Sequence, residues 1–134
     1  VDALAAAGAS LYKDLEAPAV NQEAAGLKAM QSILDAGETF DAIFAASDLI
    51  AIGAIKCLKH AGIHVPEDVS VVGFDDTPAA SFFDPSLTTI RQDTRKAAEA
   101  LVGNLLTMIE GEAVSSPLLP LSLVVRESCG GRKA

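Results

Sequence analysis

The chain has 134 residues, enough for one domain that hides about two-thirds of its extended surface. Half of the residues are hydrophobic and only 4% aromatic, a mixture of Ala, Val, Leu and Ile that excludes a disordered chain and suits a layered α/β protein. The formal charge of −8 excludes the basic surface needed to lie along nucleic acid or anionic lipid, so any DNA contact has to come from another segment.

Val1–Gly8 reads as the last turns and glycine stop of a helix whose beginning lies upstream, so the chain is expected to be a piece of a longer protein. Leu11–Leu15 is expected to be extended. From Asn21, a candidate cap, Leu27, Met30, Ile33 and Leu34 recur at helical spacing until Gly37. A short apolar strand is expected within Phe40–Ala46. Ser47 then opens a second helix, to about Ala61, with Gly62 as its stop and Asp48 as a carboxylate at its start. That helix is apolar on most sides, which demands burial between layers or under another subunit.

Val65–Asp76 is the centre of the pattern. Val69, Val71, Val72 and Phe74 make a core strand, Pro66 brackets it behind, and Asp75 and Asp76 end it. Ligands of open α/β sheets meet the carboxyl ends of strands, so this acidic pair is where a polar ligand would be met. Thr77–Phe83 is expected to be a turn or short helix and Leu87–Arg91 extended. A long helix is expected from Asp93 to Glu110, with Ala97, Leu101, Leu105, Met108 and Ile109 on one side and Gly111 as stop. A last strand, Leu118–Arg126, and a loose tail from Gly130 complete the chain. Alternating helices and strands predict an α/β fold, a mostly parallel sheet with helices on both faces.

Cys57 and Cys129 lack any framework spacing and read as free thiols of a reducing cytoplasm. No apolar run approaches the ~20 residues of a membrane span. His60 and His64 are interrupted by Gly62 and do not share a helix face as metal ligands would. Ser10, Ser32, Ser70 and Ser81 lack a nucleophile elbow, and no phosphate loop is present. The expectation is no catalytic residue, no metal and no cofactor.

Three blocks, Phe44–Ala51 (FAASDLIA), Val65–Asp76 (VPEDVSVVGFDD) and Leu87–Gln92 (LTTIRQ), followed by Leu118–Pro120 and Leu123–Ser128, resemble the lactose/galactose repressor (LacI/GalR) family in order and spacing. The resemblance covers the chain from Asn21 onward. It implies a type I periplasmic binding protein-like fold, present here mainly as the C-terminal subdomain. On that reading residues 1–92 form the subdomain, 93–112 a helix that belongs with the missing N-terminal subdomain, 113–128 a returning strand and 129–134 a tail. The apolar side of that helix, with Leu101 and Leu105, is then expected either to pack on a neighbouring chain or to be poorly ordered; burial in its own chain's sheet would refute this.

By the same resemblance Asp75 contacts a small-molecule effector, with a sugar as first candidate; otherwise it merely starts a turn. A carboxylate can accept two hydroxyl hydrogen bonds at once. Ser47 stands where the family commonly has Asn and is either a shortened effector contact or a plain cap. Gln92 and Thr94 match the hinge and cleft rim, and Asp48 and Asp76 read as structural carboxylates. Ile52, Phe82 and Phe83 match dimer-interface positions, or are ordinary core. The implied protein is a cytoplasmic, homodimeric repressor, not an enzyme and not at a membrane, touching operator DNA only through a head absent from this chain. The alternatives are a periplasmic sugar-binding protein serving transport and an α/β enzyme, for which catalytic groups are wanting.

Overall fold

A computed structural model describes residues 5–8, 12–116 and 118–131. Four strands form one sheet in the order β1 (Ala42–Phe44), β2 (Ser70–Phe74), β3 (Thr88–Gln92), β4 (Leu121–Val124). The first three are parallel, with Phe44 beside Val72 and Phe74 beside Ile90, and β4 runs antiparallel to β3. The helices are α1 (Glu23–Ala36), α2 (Asp48–His60), the short α3 (Pro78–Phe82) and α4 (Thr94–Ile109). A mostly parallel α/β sheet is therefore present.

The core is built where α2 meets β2 and α1. Ala51, Ile55, Leu58, Val71 and Leu87 are sealed from solvent, and Leu27, Ile33, Ile43 and Phe83 pack around them. Each large aliphatic side chain buried this way contributes about 1.5–3 kcal/mol of transfer free energy. The two helices cross on glycines. A Cβ on Gly26 would lie 2.2 Å from the Ile50 carbonyl oxygen, and one on Gly53 would lie 2.0 Å from that of Glu23, so only hydrogen allows the approach. Along β2, Val71 and Gly73 are buried toward this core, while Ser70, Val72 and Phe74 on the other face are half-buried. On that second face Phe44 and Leu123 are exposed.

Several local expectations are corrected. Lys13–Leu15 is a 3₁₀ turn, not a strand; an extended segment there would need a ladder partner, and none pairs with it among the described residues. Leu11, residues 1–4 and residues 132–134 lie outside the described residues; Gly8, with φ 71°, does take the left-handed stop conformation. The cap position of α1 is Gln22, not Asn21, whose side chain is occupied elsewhere. The last strand is shorter than expected, Leu121–Val124, and Glu127–Cys129 after it folds into a 3₁₀ turn docked on the sheet. There Ser128 is fully buried, accepting from the Thr88 N–H at 2.8 Å and donating to the Val71 carbonyl at 2.6 Å. Cys129 is likewise held, its Sγ accepting from Thr88 Oγ1 at 3.0 Å, so the chain is still anchored where a tail was expected to begin.

The long helix α4 has no buried residue, and Leu101 and Leu105 are 71% and 56% exposed. Asp93 caps it, accepting from the Lys96 N–H at 3.0 Å. Burial against the chain's own sheet, the outcome that would have refuted an unpartnered helix, is not what is found. Among the described residues no helix is long and apolar enough to cross a membrane.

Candidate functional site

Because β1, β2 and β3 are parallel, their carboxyl ends share one edge of the sheet. Ser47 follows β1 by three residues, Asp75 follows β2 directly, Gln92 ends β3, and Thr94 opens α4 two residues later. The topology alone thus gathers all four candidate effector residues on one edge.

Asp75 is half-buried with φ 110°, and its N–H donates to the Ile90 carbonyl at 2.9 Å. Its Oδ1 accepts from Gln92 Nε2 at 2.9 Å; its other carboxylate oxygen has no hydrogen-bond partner among the described residues. Gln92 and Thr94 line an open cavity of about 370 Å³ with Pro120, Leu121 and Ser122. Asp75 and Gln92 are therefore joined, and Thr94 shares the cavity with Gln92. Ser47 stands apart. It is 4% exposed, its Oγ accepts from the Ile50 N–H at 3.3 Å as a helix cap, and the same hydroxyl donates to Asn21 Oδ1 at 2.7 Å. The exposed Asn21 amide therefore reaches the site edge from 26 positions away, a residue that the reading of α1 assigned only to capping.

Beneath this edge lies a node that no local pattern announced. Asp48 is fully buried; its Oδ2 accepts from the Thr77 N–H at 2.6 Å and Thr77 Oγ1 at 2.9 Å, and its Oδ1 from Thr89 Oγ1 at 2.6 Å. One carboxylate thus ties the start of α2 to the loop after β2 and to β3. Gly73 leaves room for it, since a Cβ there would come within 2.5 Å of Asp48 Oδ1.

Asp76 forms a second node. Arg126 Nη2 donates to Oδ1 at 2.6 Å and Arg91 Nε to Oδ2 at 2.5 Å. Burial pushes the Asp76 carboxyl upward, but the hydrogen bonds and charges of Arg126 and Arg91 outweigh it and hold the group below the usual carboxylate range. Its structural role is broader than a turn, because its partners lie on β3 and beyond β4.

Of the candidate subunit contacts, Ile52 is 7% exposed inside the core, so the core reading applies to it and it offers a partner little surface. Phe83 packs against that core, with Lys59 Nζ 5.9 Å from its ring centroid. Phe82 is 89% exposed. His64 bonds Asp68 rather than His60, through Nδ1 to Oδ2 at 3.0 Å, and no group of three metal-binding side chains occurs among the described residues.

The family model described as "Periplasmic binding protein-like domain" matches residues 1–129. The HTH-type transcriptional regulator AscG of Escherichia coli is 36% identical over 116 residues, 87% of this chain and 34% of that protein. The lactose operon repressor of the same organism is 39% identical over 104 residues, 77% of this chain and 29% of its own length. A solved structure of a transcriptional regulator CelR–cellobiose complex superposes with a TM-score of 0.86 at 37% identity, over 95% of this chain and 39% of that one. The chain spans about a third of the length of these curated relatives. It belongs to the periplasmic binding protein-like domain family, and the relatives named here are transcriptional regulators.

Proposed function

We propose that this chain is part of the effector-binding and dimerisation core of a LacI-type repressor, and that Asp75 receives the effector. The observation that carries the reading is the pairing of Asp75 with Gln92 at the carboxyl edge of the parallel strands, with one Asp75 oxygen lacking a partner among the described residues. An open carboxylate beside the Gln92 amide suits a ligand rich in hydroxyls, because each hydroxyl both donates and accepts. The CelR–cellobiose complex supports a sugar as the class of ligand.

The mechanism is allosteric rather than catalytic: effector binding favours one arrangement of this subdomain against a second one, and the dimer passes that bias to paired DNA-binding heads. On this reading residues 1–92 form one subdomain, α4 packs on the other, and Phe82 contributes to subunit contact. The protein acts in the cytoplasm, where its operator is. With a charge of −8, the chain leaves the DNA contact to another segment.

The test is calorimetric titration of the protein carrying this chain against mono- and disaccharides, cellobiose and lactose included, with Asp75→Ala alongside. At least one sugar binds, and Asp75→Ala weakens it by about tenfold or more, the loss expected for a charge-assisted hydrogen bond. Equal affinity in wild type and variant removes Asp75 from the site.

A further inference from the structure

The loop after β2 departs further than any other from ordinary backbone geometry among the described residues: Asp75 and Asp76 are consecutive and take φ of 110° and 51°. A residue with a side chain holds φ near +110° only where its surroundings impose it. The Asp76 N–H donates to Thr89 Oγ1 at 3.3 Å and Thr77 is tied to Asp48, and three further attachments bear on the two aspartates themselves. The Asp75 N–H is fixed on the Ile90 carbonyl, the Asp75 carboxylate on Gln92, and the Asp76 carboxylate is clasped between Arg91 and Arg126.

The two arginines are not equivalent. Arg91 is 56% exposed in its side chain, so water competes for its bond to Asp76. Arg126 is 15% exposed and is itself pinned. Its Nη1 donates to the Leu87 carbonyl at 2.7 Å, and its backbone N–H donates to Thr88 Oγ1 at 2.8 Å. One planar guanidinium therefore measures the distance between the start of β3 and the loop after β2, 50 positions away in sequence from Asp76. Lysine cannot reproduce that, because an ammonium has no rigid fork to place two donors on two fixed acceptors.

We propose that Arg126 is a positioning residue for the effector site: it fixes Asp76, and Asp76 fixes the left-handed backbone that leaves one Asp75 oxygen on Gln92 and the other open to ligand. The inference rests on Asp75 being an effector contact, and it adds a residue that touches no ligand. It also ties the site to the docked C-terminal turn, since Arg126 directly precedes Glu127–Cys129.

The experiment is hydrogen exchange resolved to single amides, together with calorimetric titration with cellobiose, on the protein carrying this chain as wild type, R126K, R126M and D75A. In R126M the Asp75 amide exchanges about tenfold faster or more, while the Ala45 amide, bonded to Val72 in the β1–β2 ladder, keeps its rate. Cellobiose affinity falls by about tenfold or more in R126M, with R126K between it and wild type. Unchanged exchange at Asp75, or an equal rise at Ala45, overturns the proposal, the second because it reports general loosening. If R126M does not fold, the ratio of Asp75 to Ala45 exchange in R126K decides by the same criterion. The two readings fail separately. Cellobiose affinity insensitive to D75A counts against the effector site, whereas the exchange ratio judges Arg126 even if the wild type binds no cellobiose.

Discussion

Helices α2 and α4 are alike in sequence and unlike in surroundings. Both carry aliphatic residues at helical spacing, both are capped by the side chain that precedes them, and both are followed by a glycine of positive φ. Yet eight residues of α2 are buried and none of α4. The difference lies in what stands opposite. Helix α2 meets β2 on one side and crosses α1 through Gly26 and Gly53 on the other, whereas the tie from α4 to the following segment is Asn104 Nδ2 to the Ser115 carbonyl at 3.1 Å. Periodicity states that a face wants cover; it does not supply the cover.

Matched substitutions test this contrast. Leu58 is sealed in the core, so Leu58→Ala should cost about 2–5 kcal/mol in urea unfolding of this chain by itself, while Leu101→Ala, at 71% exposure without the second subdomain, should change its stability by no more than about 0.5 kcal/mol. Similar losses would mean that α4 is packed after all. The glycines sharpen it. Gly53→Ala forces a Cβ into the Glu23 carbonyl and should destabilise by about 1–3 kcal/mol, whereas Gly103→Ala meets nothing within 4 Å and should stabilise by about 0.5–1 kcal/mol through helix propensity. Opposite signs from the same substitution, read as shifts in the unfolding midpoint, are the expected result.

The smallest effect concerns acid. The Asp76 carboxyl is held below its unfolded value, so its ionised form favours the folded state. That contribution is complete above about pH 4, the unfolded carboxyl range, and is lost as pH falls through the folded value. Asp76→Asn should therefore be less stable than wild type near neutral pH, with the gap closing as the pH falls below the unfolded carboxyl range and through the lowered folded value. A gap independent of pH would assign the loss to packing rather than charge.

The elements were largely legible because each rests on a local signal: glycine stops at Gly37, Gly62 and Gly111, a cap at Ser47, and β-branched runs at β2 and β3. Lys13–Leu15 was not, since so short a segment takes its shape from its surroundings and not from its own residues. The position of Asp75 at a strand's carboxyl end was legible from the pattern, and Gln92 was reached only through the family resemblance. The supports of the site edge were not legible. Asp48 reaches Thr77 and Thr89 over 29 and 41 positions, and Arg126 reaches Asp76 over 50, distances at which no spacing rule operates. Asn21 read as a cap and became a partner of Ser47 for the same reason.

The backbone at Asp75 bears on how such a protein would drift under selection. At φ 110° glycine is the residue with the least conformational cost, and aspartate is there against that preference. A population screened only for heat resistance has a route through Asp75→Gly that relaxes the loop and discards its carboxylate in one step. If Asp75 receives the effector as proposed, engineering for robustness at this position and keeping the response pull in opposite directions, so a stability screen of this fold needs a binding counter-screen to keep position 75 acidic.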